Sequence, residues 1–537
     1  MKKYFILTTV FLLVTLGFSG CKKGYLDINT NPNTATSSTP QLVLPALLNN
    51  MSSSFITYFN FGSRIVGYQA NGGGFSFVGT PTITYNFDSG TNNGLFTNAF
   101  SDLRSIQYLI NTTSGVPEYA LYNGVARILK SYNYQLLVDE YGDVPYSNAL
   151  LGSDNVTPTY DSQTAVYQAL VTEIDAAIAL LKANAASTTV TRLTINNADL
   201  MFGGNVTRWI QFANNIKLRI LTRAQTGPLA SFVSTAFTTF SSEGFLLDDV
   251  LIQPGYVSTS ARQNPLWESY QSTYTGTTTG NSYIPTTWMY SFYNGTKLTD
   301  AGRGALTYRL FAAGTTPRGQ LGAPNNPNSG APNWYVGTNV GLTSTEAQGL
   351  LKSRVMGQLI FPASEIYFLL AEAALNGRTL PAVAGVDNNA GAYFDAGIKA
   401  SYNYLTKFGT STASSSATVL NSYLTAYKAA NPASFLVNYN LATTNAERLE
   451  AIITQKYIAL NFVDGYEAWQ EYKRTGYPRV SGTSPTTTFA SSESVAPTPD
   501  RLPVRNLYPT IEYNLNPNVP PISGISIWTS KIFWDNN

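Results

Sequence analysis

Six carboxylates, Asp139, Glu140, Asp143, Glu268, Glu365 and Glu372, are available for acid–base work on a sugar bond. A pair of them set across a glycosidic linkage would need no histidine. Their placement argues for another role. Asp139, Glu140 and Asp143 crowd a helix stop, Glu365 and Glu372 belong to a helix that accounts for them structurally, and no spacing pairs Glu268 with a partner. The chain has no histidine and a single cysteine, Cys21, which removes serine and cysteine triads, histidine-ligated zinc and imidazole proton relays. Asp387-Asn388-Asn389 is oxygen-rich but lacks the spacing and closing Glu of a calcium loop, so it reads as a turn and no metal is expected. Gly72-Gly73-Gly74 lacks the Gly-Lys-Ser/Thr ending of a phosphate loop, and no cofactor is expected. These residues favour binding without catalysis, with a carboxylate-pair glycoside hydrolase as the alternative.

Composition supplies a different chemistry. Only 12% of residues are charged, against roughly a quarter in average soluble proteins, while aromatics reach 13%, with 35 Tyr and 27 Phe. Sugars present C–H-rich faces beside hydroxyls, so a carbohydrate site wants aromatic platforms flanked by Asn, Gln, Asp or Arg. The candidates are Tyr68, Gln69, Asn71 and Phe75 in an early Gly-rich loop, and Trp267, Tyr283, Trp288, Trp334 and Tyr335 in a later irregular stretch. Packing competes for each aromatic, since buried Trp and Tyr are normal in a chain this long. Trp209, Trp469 and Trp534 fall on helical stripes or in a terminal segment and read as core.

The elements that must position these residues are mostly helical. Lys2-Lys3, an uncharged stretch from Phe5 to Phe18 and the small residues before Cys21 form a signal segment over residues 1–20, too short to span a membrane. The arrangement resembles a bacterial lipobox, with Cys21 the lipidated first residue of the mature chain. Losing Lys2 and Lys3 leaves 31 basic against 31 acidic side chains, and no basic cluster beyond Lys22-Lys23 exists to hold nucleic acid. Residues 21–45, rich in Ser, Thr, Asn and Pro, read as a tether, and 46–537 as a single domain with an irregular, ligand-facing insertion at about 225–360. Helical stripes run through Val125–Leu137, Val166–Leu181 behind Asp161 as cap, Trp209–Ile220, Ile366–Ala373 and Phe394–Leu405. Thr444 with Glu447, and Asp464 with Glu467, make two capping boxes that open a final antiparallel pair. Recurring helix pairs are the unit of tetratricopeptide-type solenoids, which also leaves a protein-interaction scaffold open as a function.

Six segments taken in order, CKKGYLDINTNPN from Cys21, LLVDEYGDVPYSNAL from Leu136, FPASEIYFLLAEAALNGR from Phe361, QKYIALNFVDGYEAWQEYKRTGYP from Gln455, RLPVRNLYPTIEYNLNPN from Arg501 and IFWD from Ile532, resemble the SusD/RagB family of surface lipoproteins of Bacteroidota. The resemblance implies a helical protein in which four tetratricopeptide-like helix pairs, a SusD-like α/α superhelix, support a large, irregular, loop-rich ligand-binding half. It further implies a lipid anchor in the outer membrane at the cell surface. The implied role is to capture oligosaccharides, or in some branches peptides, and to act as a lid on a SusC-like TonB-dependent transporter that imports them.

Overall fold

The computed structural model describes residues 38–73, 80–187, 194–327, 334–335, 347–411 and 413–537. The signal segment, Cys21, most of the tether and Phe75 lie outside the described residues.

Among the described residues, ten helices of eleven residues or more carry the architecture: α1 (Pro40–Ile65), α2 (Asn93–Thr113), α3 (Ala120–Tyr141), α4 (Gln163–Ala186), α5 (Val206–Arg223), α6 (Ala363–Leu375), α7 (Ala390–Thr406), α8 (Ala417–Ala430), α9 (Asn445–Ala459) and α10 (Gly465–Thr475). The expectation of a mostly helical chain holds. Helix α1 opens on Pro40, inside the stretch read as tether, because a proline at the first helical position has no donor to lose. It buries Leu44, Leu47, Leu48, Met51, Phe55 and Phe59, one stripe at helical spacing. Neighbours in sequence pack as neighbours in space: α1 on α2, α2 on α3, α3 on α4, α4 on α5, then α6 on α7 and α7 on α8. Helix α9 lies on α6 and α7, and α10 returns to α1. At that crossing Gly62 meets the backbone of Gly465 and Tyr466 with no room for a Cβ on either glycine, so two bare backbones let the helices touch.

Helix ends follow side-chain chemistry. Helix α3 stops at Gly142, which takes a positive φ of 76°. The cap of α4 is Ser162, which accepts from the Ala165 N–H; Asp161 instead accepts from the Tyr146 and Ser147 N–H groups at 3.0 and 2.9 Å. The Thr444–Glu447 capping box forms in full. Asp464 accepts from the Glu467 N–H at 3.0 Å, yet the Glu467 carboxylate does not complete the second box, because it is drawn into a buried ion network.

That network runs between α3, α5, α6, α9 and α10. Arg219 forks onto Glu365 with two bonds of 2.7 Å, Arg223 joins Asp139 to Glu467, Lys456 lies 3.0 and 3.2 Å from Glu467 and Glu471, and Arg474 forks onto Glu372. All of these side chains are 5% exposed or less. Among the described residues there are also three two-stranded antiparallel ribbons: β1 (Gln69–Asn71) with β5 (Tyr283–Pro285), β2 (Val144–Pro145) with β3 (Tyr160–Asp161), and β4 (Val250–Ile252) with β6 (Gln358–Phe361).

Candidate functional site

Five of the six carboxylates considered for hydrolysis are occupied. Asp139 is held by Arg223, Glu140 accepts from the Asn506 amide, Glu365 is forked by Arg219 and Glu372 by Arg474, while Asp143 accepts the Gln163 N–H at 2.9 Å. Glu268 stands alone in the first turn of the short helix Pro265–Tyr270. In the Asp387–Asn389 turn, Asn389 caps α7 through the Ala392 N–H at 2.9 Å and Asn388 accepts the Tyr393 hydroxyl at 3.0 Å. Among the described residues, each group except Glu268 has a structural task.

The aromatic candidates separate into two sets. Trp267 and Trp288 are 0% and 1% exposed, and so present no face on which a sugar could stack. Trp267 donates through Nε1 to Ser272 Oγ at 3.2 Å; Trp288 donates to the Tyr457 hydroxyl at 3.1 Å, wedged between Phe292 and Phe489. Lys297 stands 3.6 Å over the Trp288 ring, and burial pulls its ammonium down to about 8. Both tryptophans are core.

The second set converges on the β1–β5 ribbon. Helix α1 ends at Ile65, Gly67 turns the chain with a φ of 68°, and β1 follows at once, paired Gln69 with Pro285, Ala70 with Ile284 and Asn71 with Tyr283. Tyr68 and Tyr335 anchor it from below. The Tyr68 hydroxyl donates to the Tyr457 carbonyl at 2.6 Å, and the Tyr335 hydroxyl lies 2.9 Å from the carbonyls of both Tyr68 and Ile284 while its ring stacks on Phe462 at 4.2 Å. Trp334, 7% exposed, packs with Ala70 and Ile284. Tyr283 and Asn71 remain half-buried at the open end of the ribbon.

Around that end stand residues that the sequence did not single out. The Arg64 guanidinium lies 5.9 Å from the Tyr283 ring centre, the Tyr270 ring lies 4.8 Å from it, the Tyr270 hydroxyl donates to Asn60, and Asn326 donates to the Asn71 carbonyl at 2.9 Å. The one signal for Arg64 was its place a helical turn after Asn60 at the end of α1. Among the described residues, Gln69 Nε2, Asn71 Oδ1 and Trp334 Nε1 have no hydrogen-bond partner. These three atoms are shut off from solvent, and the half-buried Tyr283 ring and Arg64 guanidinium are the groups at that end that suit a polar ligand with hydroxyls and C–H faces.

Comparison with known proteins bears on the same chain. Residues 31–244 match a SusD-like family model described as starch-binding and associating with the outer membrane, and residues 342–535 match one described as SusD and RagB outer membrane lipoprotein. No curated protein matches the sequence. Among solved structures, a chitin-binding SusD homologue from Flavobacterium johnsoniae is 21% identical with a TM-score of 0.69, covering 93% of this chain and 99% of that one. A SusD-like protein from Bacteroides thetaiotaomicron is 20% identical with a TM-score of 0.67, over 91% and 98% of the two chains. A SusD homologue from Bacteroides vulgatus is 18% identical with a TM-score of 0.66, over 92% and 97%. Paired helices on either side of the irregular region, the shared fold and the two family matches lead to one conclusion: the chain belongs to the SusD/RagB family.

Proposed function

We propose that this protein is a cell-surface lipoprotein, anchored through Cys21, that captures oligosaccharides without chemistry and delivers them to a SusC-like TonB-dependent transporter on which it acts as a lid. The observation that carries the reading is the open end of the β1–β5 ribbon, where the half-buried Tyr283 ring lies beside the Arg64 guanidinium and Asn71. Membership of a family described as outer membrane lipoproteins supports the location. One structural neighbour is a chitin-binding protein, which makes N-acetylated glucan oligomers the first ligands to try. Peptides are the competing ligand class.

Native mass spectrometry of the mature chain with a panel of oligosaccharides and peptides tests this. An intact sugar on the protein, lost in Tyr283→Ala and Asn71→Ala, is the expected result. Shorter products would establish a hydrolase, and a peptide adduct on the same residues would replace the ligand class. Co-purification of a large outer-membrane β-barrel with the tagged protein tests the lid.

A further inference from the structure

Of the described tyrosines, Tyr274 alone is exposed, at 44%. It stands on a tight turn that leaves Tyr270 and returns to Tyr283. Ser272 bridges Thr278, the Thr273 N–H donates to the Thr277 carbonyl at 2.9 Å, and Gly276 closes the tip with a φ of 90°. A ring held out in solvent forgoes the burial that a core tyrosine gains, and it offers the open stacking face that Trp267 and Trp288 lack.

Two arginines share this edge of the molecule. Arg354 Nη1 donates to Ser258 Oγ at 2.8 Å and lies 3.5 Å from the Tyr274 carbonyl, which pins the 257–262 loop to the turn. Its Nε is shut off from solvent, but its Nη2 is not, and no described residue takes that donor. Arg262 closes the exposed loop, and Asn264, two residues on, donates its N–H to the Arg354 carbonyl at 2.8 Å, which brings the two backbones together. The Arg262 side chain is exposed and has neither an ion pair nor a hydrogen bond among the described residues. Ala261 before it takes a φ of 56°, a left-handed conformation that side chains avoid and that recurs at ligand clamps. Glu268, on the helix that follows, pairs with neither arginine.

The charges select the ligand. Two guanidiniums against one carboxylate favour an anion, and a guanidinium fork matches a carboxylate better than any neutral group. The open ring suits the C–H face of a pyranose. A neutral sugar uses the ring and leaves the charges idle, while an ammonium sugar meets repulsion. We propose that Tyr274, Arg354 and Arg262 form a binding site for acidic saccharides, in which a uronate ring stacks on Tyr274 and its carboxylate accepts from the two guanidiniums. The proposal rests on the carbohydrate-capture reading, though on none of the residues of the ribbon end, and it names the charge class of the carbohydrate.

The test is saturation-transfer NMR titration of the mature chain with trigalacturonate, a hyaluronan tetrasaccharide, cellotriose, chitotriose and triglutamate. Binding of an acidic sugar, weakened about tenfold in Tyr274→Ala and in Arg262→Gln, is the expected result. The same binding should weaken as ionic strength rises. Both substituted side chains are exposed, so neither variant disturbs the core. No binding of either acidic sugar, acidic binding indifferent to both variants, or a neutral sugar or triglutamate held as tightly through the same residues would overturn the proposal. A neutral sugar lost in Tyr283→Ala, with no acidic sugar bound, leaves the ribbon standing and removes this site. Silence from every sugar removes both.

Discussion

Substituting Arg223 by Met removes the guanidinium that joins Asp139 on α3 to Glu467 on α10, and leaves a side chain of similar length among atoms that exclude water. Breaking a buried pair by removing one partner costs about 3–5 kcal/mol, because the remaining charge stays buried and uncompensated. Here two carboxylates are stranded, although Tyr167 and Trp534 still donate to Asp139 and Lys456 still faces Glu467 at 3.0 Å, which keeps the loss within that range rather than above it. For a chain of 537 residues, about 2.1 cal/mol/K of unfolding entropy per residue gives about 1 kcal/mol per kelvin, so Tm should fall by about 3–5 °C. The pH dependence has a definite sign. Burial alone would raise the Glu467 carboxyl, but Arg223, Lys456 and Arg219 together hold it well below the ordinary carboxylate range. A depressed carboxylate contributes stability above its unfolded value, about 4.3, and loses it as pH falls through the folded one. Without Arg223 the carboxyl can take up a proton more easily, so the deficit of the variant should be largest near pH 7 and shrink towards pH 4. Calorimetry across that range reads both quantities. A Tm change below 1 °C at pH 7, or a deficit that grows on acidification, would refute the view of the network as a dry, mutually neutralised core.

The division of the aromatics predicts that Trp288→Ala costs about 3–5 kcal/mol and a similar number of degrees in Tm, whereas Tyr283→Ala costs about 1 kcal/mol; equal losses by calorimetry would contradict the placement of Trp288 in the core. Gly62→Ala drives a methyl group into the backbone of Gly465 and Tyr466 and should destabilise by about 1–3 kcal/mol, seen as a lower Tm. Burial pushes Glu140 up to about 7, so its stability contribution is present below the unfolded value and lost as pH rises through the folded one. Glu140→Gln should therefore gain about 2 kcal/mol over the parent protein between pH 5 and pH 8. A Tm difference that is flat with pH would remove Glu140 from that role.

The helices were legible because their information is local. The stripe from Val166 to Leu181 and the stop at Gly142 need only the next turn to be read, and the Thr444–Glu447 box forms as spaced. Glu467 shows where local reading ends: the same three-residue spacing does not close a box, since Arg223, 244 residues earlier, claims the carboxylate. The tryptophans fail for the same reason. Nothing near Trp288 in sequence announces Tyr457, whose hydroxyl takes its indole N–H from 169 positions away. The early Gly-rich loop and Tyr283 could be nominated by composition, but their pairing, and the arrival of Arg64 beside them, depends on a β1–β5 register that spans more than two hundred residues.

The contact between Gly62 and Gly465 also sets a timetable. Helix α1 is synthesised early, and the bare backbone it must meet follows about 400 residues later, an interval of about 20–80 s at ordinary translation rates. For that interval Tyr58 and Phe61, whose rings meet Tyr466 and Trp469 of α10, lack their final neighbours, and that face of α1 is open to the wrong one. Closing so long a loop is a late and slow event. The molecule is therefore fastened by its last helix, and a nascent or shortened chain lacking α10 should be the form that aggregates and is degraded.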